Sequence, residues 1–139
     1  MAHDTSHDIR DRTFAFGCAI ARLALTLSSR PGVRSIIDQL LRAGTSVGAN
    51  LEGAKAASSD REFIRDVQIS LREARESIYW LRICRDLSLG AAKELEFLIG
   101  EGDQIARILA AIVISKRRRM NAGVVLFAFF ILNFALLAL

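Results

Sequence analysis

Apolar residues recur at alternating steps of three and four positions along most of the chain, which is the spacing of amphipathic helices. Three such segments cover residues 9–29, 33–57 and 91–118, and another runs from Ser59 to the turn DLSLG. The residues predicted to face the core are Phe16, Ile20, Leu23 and Leu27; Ile37, Leu40, Gly44, Val47, Leu51 and Ala54; Ile64, Val67, Leu71, Ala74, Ile78 and Leu81; and Leu95, Leu98, Gly102, Ile105, Leu109 and Ile112. Four such helices predict an antiparallel up-down four-helix bundle of the all-α class, plus an apolar C-terminal segment.

Residues at the predicted helix ends support short connections. Pro31 and Gly32 end the first helix, because proline cannot continue it. Ser59 and Glu62 have the S-x-x-E spacing of a capping box, in which the serine caps the third helix and the glutamate reaches back. The chain therefore divides into a disordered leader over residues 1–8, a bundle over residues 9–119 and an apolar tail over residues 120–139.

Charge is confined to the first two of these parts. Every Asp, Glu, Lys and Arg lies at or before Arg119, and Arg outnumbers Lys by 16 to 3. Arginine suits bidentate contact with phosphate or carboxylate, and it also forms exposed ion pairs. Cys18 and Cys84 have no CxxC or zinc spacing, which favours a cytoplasmic protein with reduced thiols in its core. No signal peptide is visible.

Glycines cluster in the second helix, within the stretch GTSVGANLEGAK. A Walker loop needs Lys directly after the second glycine of its motif, but Ala54 stands between Gly53 and Lys55, and no strand precedes the stretch. Gly44 lies instead on the apolar stripe, with Gly48 one helical turn further on. Glycine inside a helix costs about 1 kcal/mol against alanine, so we interpret the pair as a close helix crossing.

Two strings, LRAGTSVGAN and SSDREFIRDVQISLREARESIYWLR, resemble bacterial four-helix bundle proteins related to those encoded in 23S rRNA intervening sequences. That superfamily includes the accessory variability protein of diversity-generating retroelements. The resemblance covers about residues 16–118, and the apolar tail and Gly53 depart from it. It implies an up-down bundle, often a ring-like homopentamer, without known catalytic activity. The retroelement relative binds a reverse transcriptase and nucleic acid through basic surface.

A second stripe on the third helix carries the candidate nucleic-acid contacts. Its arginines, spaced over about 30 Å, suit a phosphate backbone, and its tyrosine suits stacking on a base. The stripe consists of Arg61, Arg65, Gln68, Arg72, Arg75, Tyr79 and Arg82. Acidic neighbours offer the alternative of an internally paired, solvated face, with Arg72–Glu76 and Glu62–Arg65 as the pairs. Arg34, Arg42 and the run 116–119 extend either interpretation.

Phe63 and Trp80 lie beside the core stripe, where they serve bundle packing or an oligomer interface.

Catalytic candidates are few, because the only histidines are His3 and His7 in the leader, where a metal site is not expected. Glu73 and Glu76 have acid–base spacing but lack the E-x-x-H motif of di-metal bundles. We therefore expect no enzyme, no metal and no cofactor. Two hypotheses remain. The protein binds RNA or a reverse transcriptase, or it is a module for protein–protein contact alone.

The tail, MNAGVVLFAFFILNFALLAL, is apolar all round. As a helix, residues 122–139 would span about 27 Å, just short of the hydrocarbon core. Lys116 and the three arginines after it would hold that end in the cytoplasm. The tail is thus predicted to tether a cytoplasmic bundle to the inner membrane. An aberrant extension of the gene and a segment tucked against the oligomer are the alternatives.

Overall fold

The computed structural model describes residues 5–27 and 30–137, with the side chains of residues 9–27 and 30–128. Within this part of the chain there are four helices and no strand: α1 (Thr5–Leu27), α2 (Arg34–Lys55), α3 (Asp60–Asp86) and α4 (Ala92–Leu137). The all-α class and the four-helix bundle predicted from the sequence are confirmed.

Packing follows the order of the chain. α2 lies between α1 and α3, α3 packs against α4, and α4 closes the bundle on α1. Among the described residues, no Cα atom of α1 lies within 8 Å of a Cα atom of α3, so these two helices are diagonal across the bundle. One broad face of α3 is consequently left to solvent.

The predicted apolar stripes face the core. The stripes of α1 and α2 are buried throughout, and Leu95, Leu98, Ile105 and Leu109 are buried in α4. Leu71, Ile78 and Ile112 are only partly buried, at the edges of the helix contacts. Ser70 and Ser77 are also buried, and their hydroxyls donate to Val47 O at 2.7 Å and to Glu73 O at 2.8 Å. These bonds satisfy polar atoms that burial would otherwise leave without a partner.

The close helix crossing is present where the glycines predicted it. A Cβ added to Gly44 would lie 2.8 Å from Ile20 Cγ2, and one added to Gly48 would lie 3.4 Å from the Thr13 carbonyl. A Cβ added to Gly17 in α1 would lie 3.5 Å from Gly44 O in α2. At Gly44, therefore, an added side chain would fit only if Ile20 moved, whereas at Gly17 and Gly48 a Cβ would make ordinary van der Waals contact.

Two helix bounds differ from the sequence prediction. Helix α1 begins at Thr5, so the leader predicted as disordered over residues 1–8 is helical from residue 5, and residues 1–4 lie outside the described part. Helix α4 has 46 residues, about 69 Å, and continues through the predicted break near Arg118 to Leu137. The tail contains no Pro, so no residue that interrupts helical hydrogen bonding follows the basic run.

Helix α3 starts as the capping motif predicted. Ser59 Oγ accepts a hydrogen bond from Glu62 N at 3.2 Å. The Glu62 carboxylate reaches one residue further back than the usual box, accepting from Ser58 N at 2.8 Å and Ser58 Oγ at 2.7 Å. These bonds lower the pKa of Glu62, because they stabilise its ionised form.

Candidate nucleic-acid interface

A strip of seven exposed side chains runs along the solvent face of α3. Their spacing of three and four residues keeps them on one side of the helix. We call this surface the α3 arginine strip, and it consists of Arg61, Arg65, Gln68, Arg72, Arg75, Tyr79 and Arg82, all exposed. At 1.5 Å per residue, Arg61 and Arg82 are separated by about 30 Å along the axis.

The acidic residues beside the strip are engaged from α2. Arg42 Nη1 lies 3.1 Å from Glu73 Oε2, and its Nη2 donates to Glu76 Oε1. The Glu73 side chain is 9% exposed, so its carboxylate depends on this arginine for a partner. The sequence allowed Arg42 to extend either the basic face or an internally paired face, and in the structure it forms ion pairs with two carboxylates.

The same contacts shift the pKa values of Glu76 and Arg42. The Arg42 hydrogen bond lowers the pKa of Glu76, with a smaller contribution from Trp80, whose Nε1 donates to Glu76 Oε1 at 3.4 Å. The Glu76 hydrogen bond in turn raises the pKa of Arg42. Glu73 and Glu76, considered as an acid–base pair, therefore form an ion cluster with Arg42.

The pairing leaves most of the strip without ionic partners. The expected Arg72–Glu76 ion pair is not formed, although Arg72 still lowers the pKa of Glu76 through space. The expected Glu62–Arg65 pair is present at 3.8 Å, and Arg65 also binds Asp66 at 3.1 Å. Among the described residues, no ion pair engages Arg61, Arg72, Arg75 or Arg82.

Tyr79 is held beside these arginines by an aromatic contact. Its ring meets Trp80 edge to face, with centroids 5.1 Å apart and planes at 75°. Tyr79 nevertheless remains 57% exposed. A positioned and exposed ring between Arg75 and Arg82 is the arrangement on which an unpaired base stacks.

Arg117 from α4 joins the start of the strip, which the sequence suggested only in general terms. It lines a cavity of 480 Å³ together with Arg61, Arg65 and Gln68. Lys116 is used differently, because its Nζ binds Asp60 at 2.7 Å and lies 5.6 Å from the Phe63 ring centre. Arg34 is paired with Asp38 at 3.8 Å on another part of the surface. The roles of Arg117 and Lys116 depend on contacts between α4 and α3, which a sequence pattern along one helix does not show.

Phe63 and Trp80 are both partly buried within the chain. Phe63 packs beneath Lys116, and Trp80 contacts Glu76 and Tyr79. These contacts assign each a place in the bundle, and their role at an oligomer interface stays a prediction.

Among the described residues, no cluster of three or more His, Cys, Asp and Glu side chains is placed to hold a metal ion. The His3–His7 pair lies outside the residues whose side chains are described. Cys84 is buried, and Cys18 is partly exposed on α1.

The protein is an all-α four-helix bundle with a basic face on its third helix. The family model of 23S rRNA-intervening sequence proteins matches residues 5–111, and the chain belongs to that family. A crystal structure from Bacteroides thetaiotaomicron VPI-5482, described as a protein with unknown function from the S23 ribosomal protein family, is similar over 76% of this chain and 97% of its own. The two share 30% sequence identity, with a TM-score of 0.72. No curated protein matches the chain.

The predicted membrane anchor falls largely beyond the described side chains, which end at Ala128. Within the part of the chain that is described, no helix is both long and apolar enough to cross a bilayer. Val124, Val125, Leu126 and Phe127 on α4 are exposed.

Proposed function

We propose that this protein is a non-catalytic, self-associating helical bundle whose α3 arginine strip binds the phosphate backbone of RNA. The observation that carries the proposal is the Arg42 cluster. Because Arg42 neutralises Glu73 and Glu76 from α2, the guanidinium groups of Arg72, Arg75 and Arg82 remain available to an external anion. An internally paired face would have used those carboxylates itself.

RNA fits the strip by chemistry as well as by charge. Guanidinium groups bind phosphate oxygens in a bidentate fork, and five of them along about 30 Å follow a strand over several phosphates. Tyr79 adds a stacking surface, which favours an unpaired segment of RNA over a continuous duplex. An RNA complex with an enzyme such as a reverse transcriptase would present the same phosphates.

Charge reversal tests the proposal. Arg65→Glu, Arg72→Glu and Arg75→Glu together should abolish binding to a structured RNA in low salt, as measured by fluorescence anisotropy. The matched control reverses three exposed cations elsewhere, Lys55, Lys93 and Arg107, and changes the net charge equally. We expect the control to retain most of the affinity. Absence of RNA binding by the wild type, or equal losses in both variants, would show that the strip is a solvated face.

A second candidate function is protein–protein contact without RNA. Phe14 supports it, because this large apolar side chain is exposed on α1, on the opposite side of the bundle from α3. This candidate predicts a stable protein complex whose yield is the same after nuclease treatment and whose formation does not change with salt.

The tail adds a membrane tether to the proposal. Exposed apolar side chains on α4 follow directly after Lys116 and Arg117–Arg119, and the sequence stays uncharged to Leu139. Cations at that position would favour the anionic inner surface of a membrane. Fractionation of the full chain against a variant ending at Arg119 tests this. Equal amounts of both in the membrane-free fraction would exclude the tether.

A further inference from the structure

The α3 arginine strip begins at the cavity of 480 Å³ where α4 passes the first turns of α3. Three guanidinium groups line this cavity, two from Arg61 and Arg65 of the strip and one from Arg117 on α4. Beyond the cavity the arginines of the strip come from α3 alone and stand in a single row. The cavity therefore differs from the rest of the strip in its shape and in the number of cations that surround one point.

The charge of the cavity is that of a site for a dianion. Its ionisable lining residues are the three arginines and Glu62, so three cations less one carboxylate leave a net charge of about +2. Glu62 Oε2 accepts hydrogen bonds from Ser58 N at 2.8 Å and Ser58 Oγ at 2.7 Å, which hold that oxygen against the loop before α3. The carboxylate is thus partly occupied by its own chain, and the excess of positive charge stays in the cavity.

Two of the three arginines have no ionic partner. Arg65 shares its charge with Glu62 at 3.8 Å and with Asp66 at 3.1 Å. Among the described residues, no ion pair engages Arg61 or Arg117. Both side chains are exposed, so a ligand in the cavity can be bound from two sides, by α3 and by α4.

The phosphate at the end of a nucleic-acid strand has the charge that this cavity requires. A phosphate monoester carries about −1.5 to −2 charges near pH 7 and offers three acceptor oxygens. A phosphodiester inside the strand carries one negative charge and offers two such oxygens. Guanidinium groups bind phosphate oxygens in bidentate pairs. Three of them around one cavity therefore suit the end of a strand better than its interior.

The remaining lining residues suit the nucleotide that carries the phosphate. Ile64 is buried and Met120 is partly buried, and together they give the cavity an apolar wall. Gln68 adds an amide that can both donate to and accept from ribose hydroxyls. The volume is within the range of about 300–1,000 Å³ that small-ligand sites occupy. One terminal nucleotide can therefore enter the cavity.

We propose that this cavity binds the terminal phosphate monoester of an RNA strand, whose following phosphates lie along the α3 arginine strip. The site rests on RNA binding by the strip as proposed above and adds a preference for strand ends. A 5′-phosphate and a 3′-phosphate share this chemistry. A lipid phosphate could also reach Arg117, but it would leave the strip residues beyond Gln68, namely Arg72, Arg75, Tyr79 and Arg82, without a role.

The preference can be measured with three forms of one short, internally labelled single-stranded RNA. One form carries a 5′-phosphate, one a 3′-phosphate and one no terminal phosphate, and each is titrated with the full-length protein by fluorescence anisotropy. One phosphorylated form should bind about tenfold more tightly than the form without a terminal phosphate. The form that does so identifies which end of the strand the cavity binds.

Arg117→Gln should remove that preference while the RNA without a terminal phosphate keeps most of its affinity. Arg107→Gln is the matched control, because Arg107 is exposed on the same helix and does not line the cavity. It should leave the preference at the wild-type value. Arg82→Gln, at the far end of the strip, should weaken all three RNAs by the same factor.

The outcomes separate the end site from RNA binding itself. Equal affinity for the three RNAs, or a preference that survives Arg117→Gln, would overturn the end site and leave RNA binding by the strip in place. Absence of binding to all three would overturn both. Equal affinity for the RNAs together with Arg117-dependent binding to phosphatidylcholine vesicles only when they contain phosphatidic acid would assign the cavity to a lipid instead.

Discussion

At the scale of single residues, Arg42 decides the charge of the surface around it. Its guanidinium reaches Glu73 and Glu76 one turn apart on α3. Glu73 is nearly buried, and a buried carboxylate without a partner is costly. Arg42 therefore contributes to stability and also keeps two carboxylates away from the arginines of the strip.

Replacement of Arg42 by Gln should lower the free energy of unfolding, because the nearly buried Glu73 side chain would lose its partner. Urea denaturation should show an earlier midpoint for Arg42→Gln, and the added change Glu73→Gln should restore part of the loss. The same single variant should bind RNA less tightly, since Glu76 would be released to pair with Arg72. An unchanged midpoint in Arg42→Gln would contradict this account of the cluster.

Glu76 makes the stability sensitive to acid. Its pKa is lowered in the folded protein, chiefly by the Arg42 hydrogen bond, so its ionised form stabilises the fold. That contribution is complete above the ordinary glutamate pKa of about 4.3 and is lost as the pH falls through the lower folded value. Glu76→Gln should therefore flatten the acid limb of a stability–pH curve measured by urea denaturation. Parallel curves for wild type and variant would exclude this role.

At the scale of helices, glycines mark two kinds of position. Gly44 faces Ile20 in the α1–α2 crossing, and Gly102 on α4 faces Ile78 Cγ1, which would lie 2.9 Å from an added Cβ. Gly100, on the same helix as Gly102, has nothing within 4 Å of such a Cβ. The first kind is required by packing, whereas the second only adds conformational freedom to the unfolded chain.

Alanine substitution should separate the two kinds. Gly44→Ala should destabilise the protein by about 1–3 kcal/mol, because Ile20 must move in a filled core. Gly100→Ala should stabilise it by about 0.5–1 kcal/mol, since alanine is the better helix former and meets no neighbour. Thermal or urea unfolding of both variants checks the sign of each change. Stabilisation by Gly44→Ala would mean that the crossing is looser than the structure has it.

Periodicity predicted these helices and their inward residues because each helix has one apolar stripe. The crossing was predictable as well, since Gly44 lay on that stripe. The seven positions of the α3 arginine strip followed from the same period. The absence of ion pairs at most of these arginines could not be predicted. The i, i+4 spacing along α3 pairs Glu76 with Arg72, whereas in the structure Glu76 forms its ion pair with Arg42 on α2.

At the scale of the whole molecule, the diagonal placement of α1 and α3 separates two surfaces. Self-association through a face away from α3 would leave the arginine strips of a pair of copies exposed. Two linked binding faces raise the apparent affinity for a long polymer, because the second contact becomes intramolecular. A short RNA that reaches one strip gains nothing from the pair.

Salt dependence tests the central claim most directly, since it counts the phosphates that the protein neutralises. The logarithm of the RNA association constant should fall linearly with the logarithm of the salt concentration. Arg72→Gln, Arg75→Gln and Arg82→Gln together should reduce that slope by about 2, at about 0.7 for each phosphate contact with a single strand. Gln at Lys55, Lys93 and Arg107 should leave the slope at the wild-type value. A wild-type slope near zero, or the same slope after the three α3 substitutions, would contradict RNA binding by the α3 arginine strip.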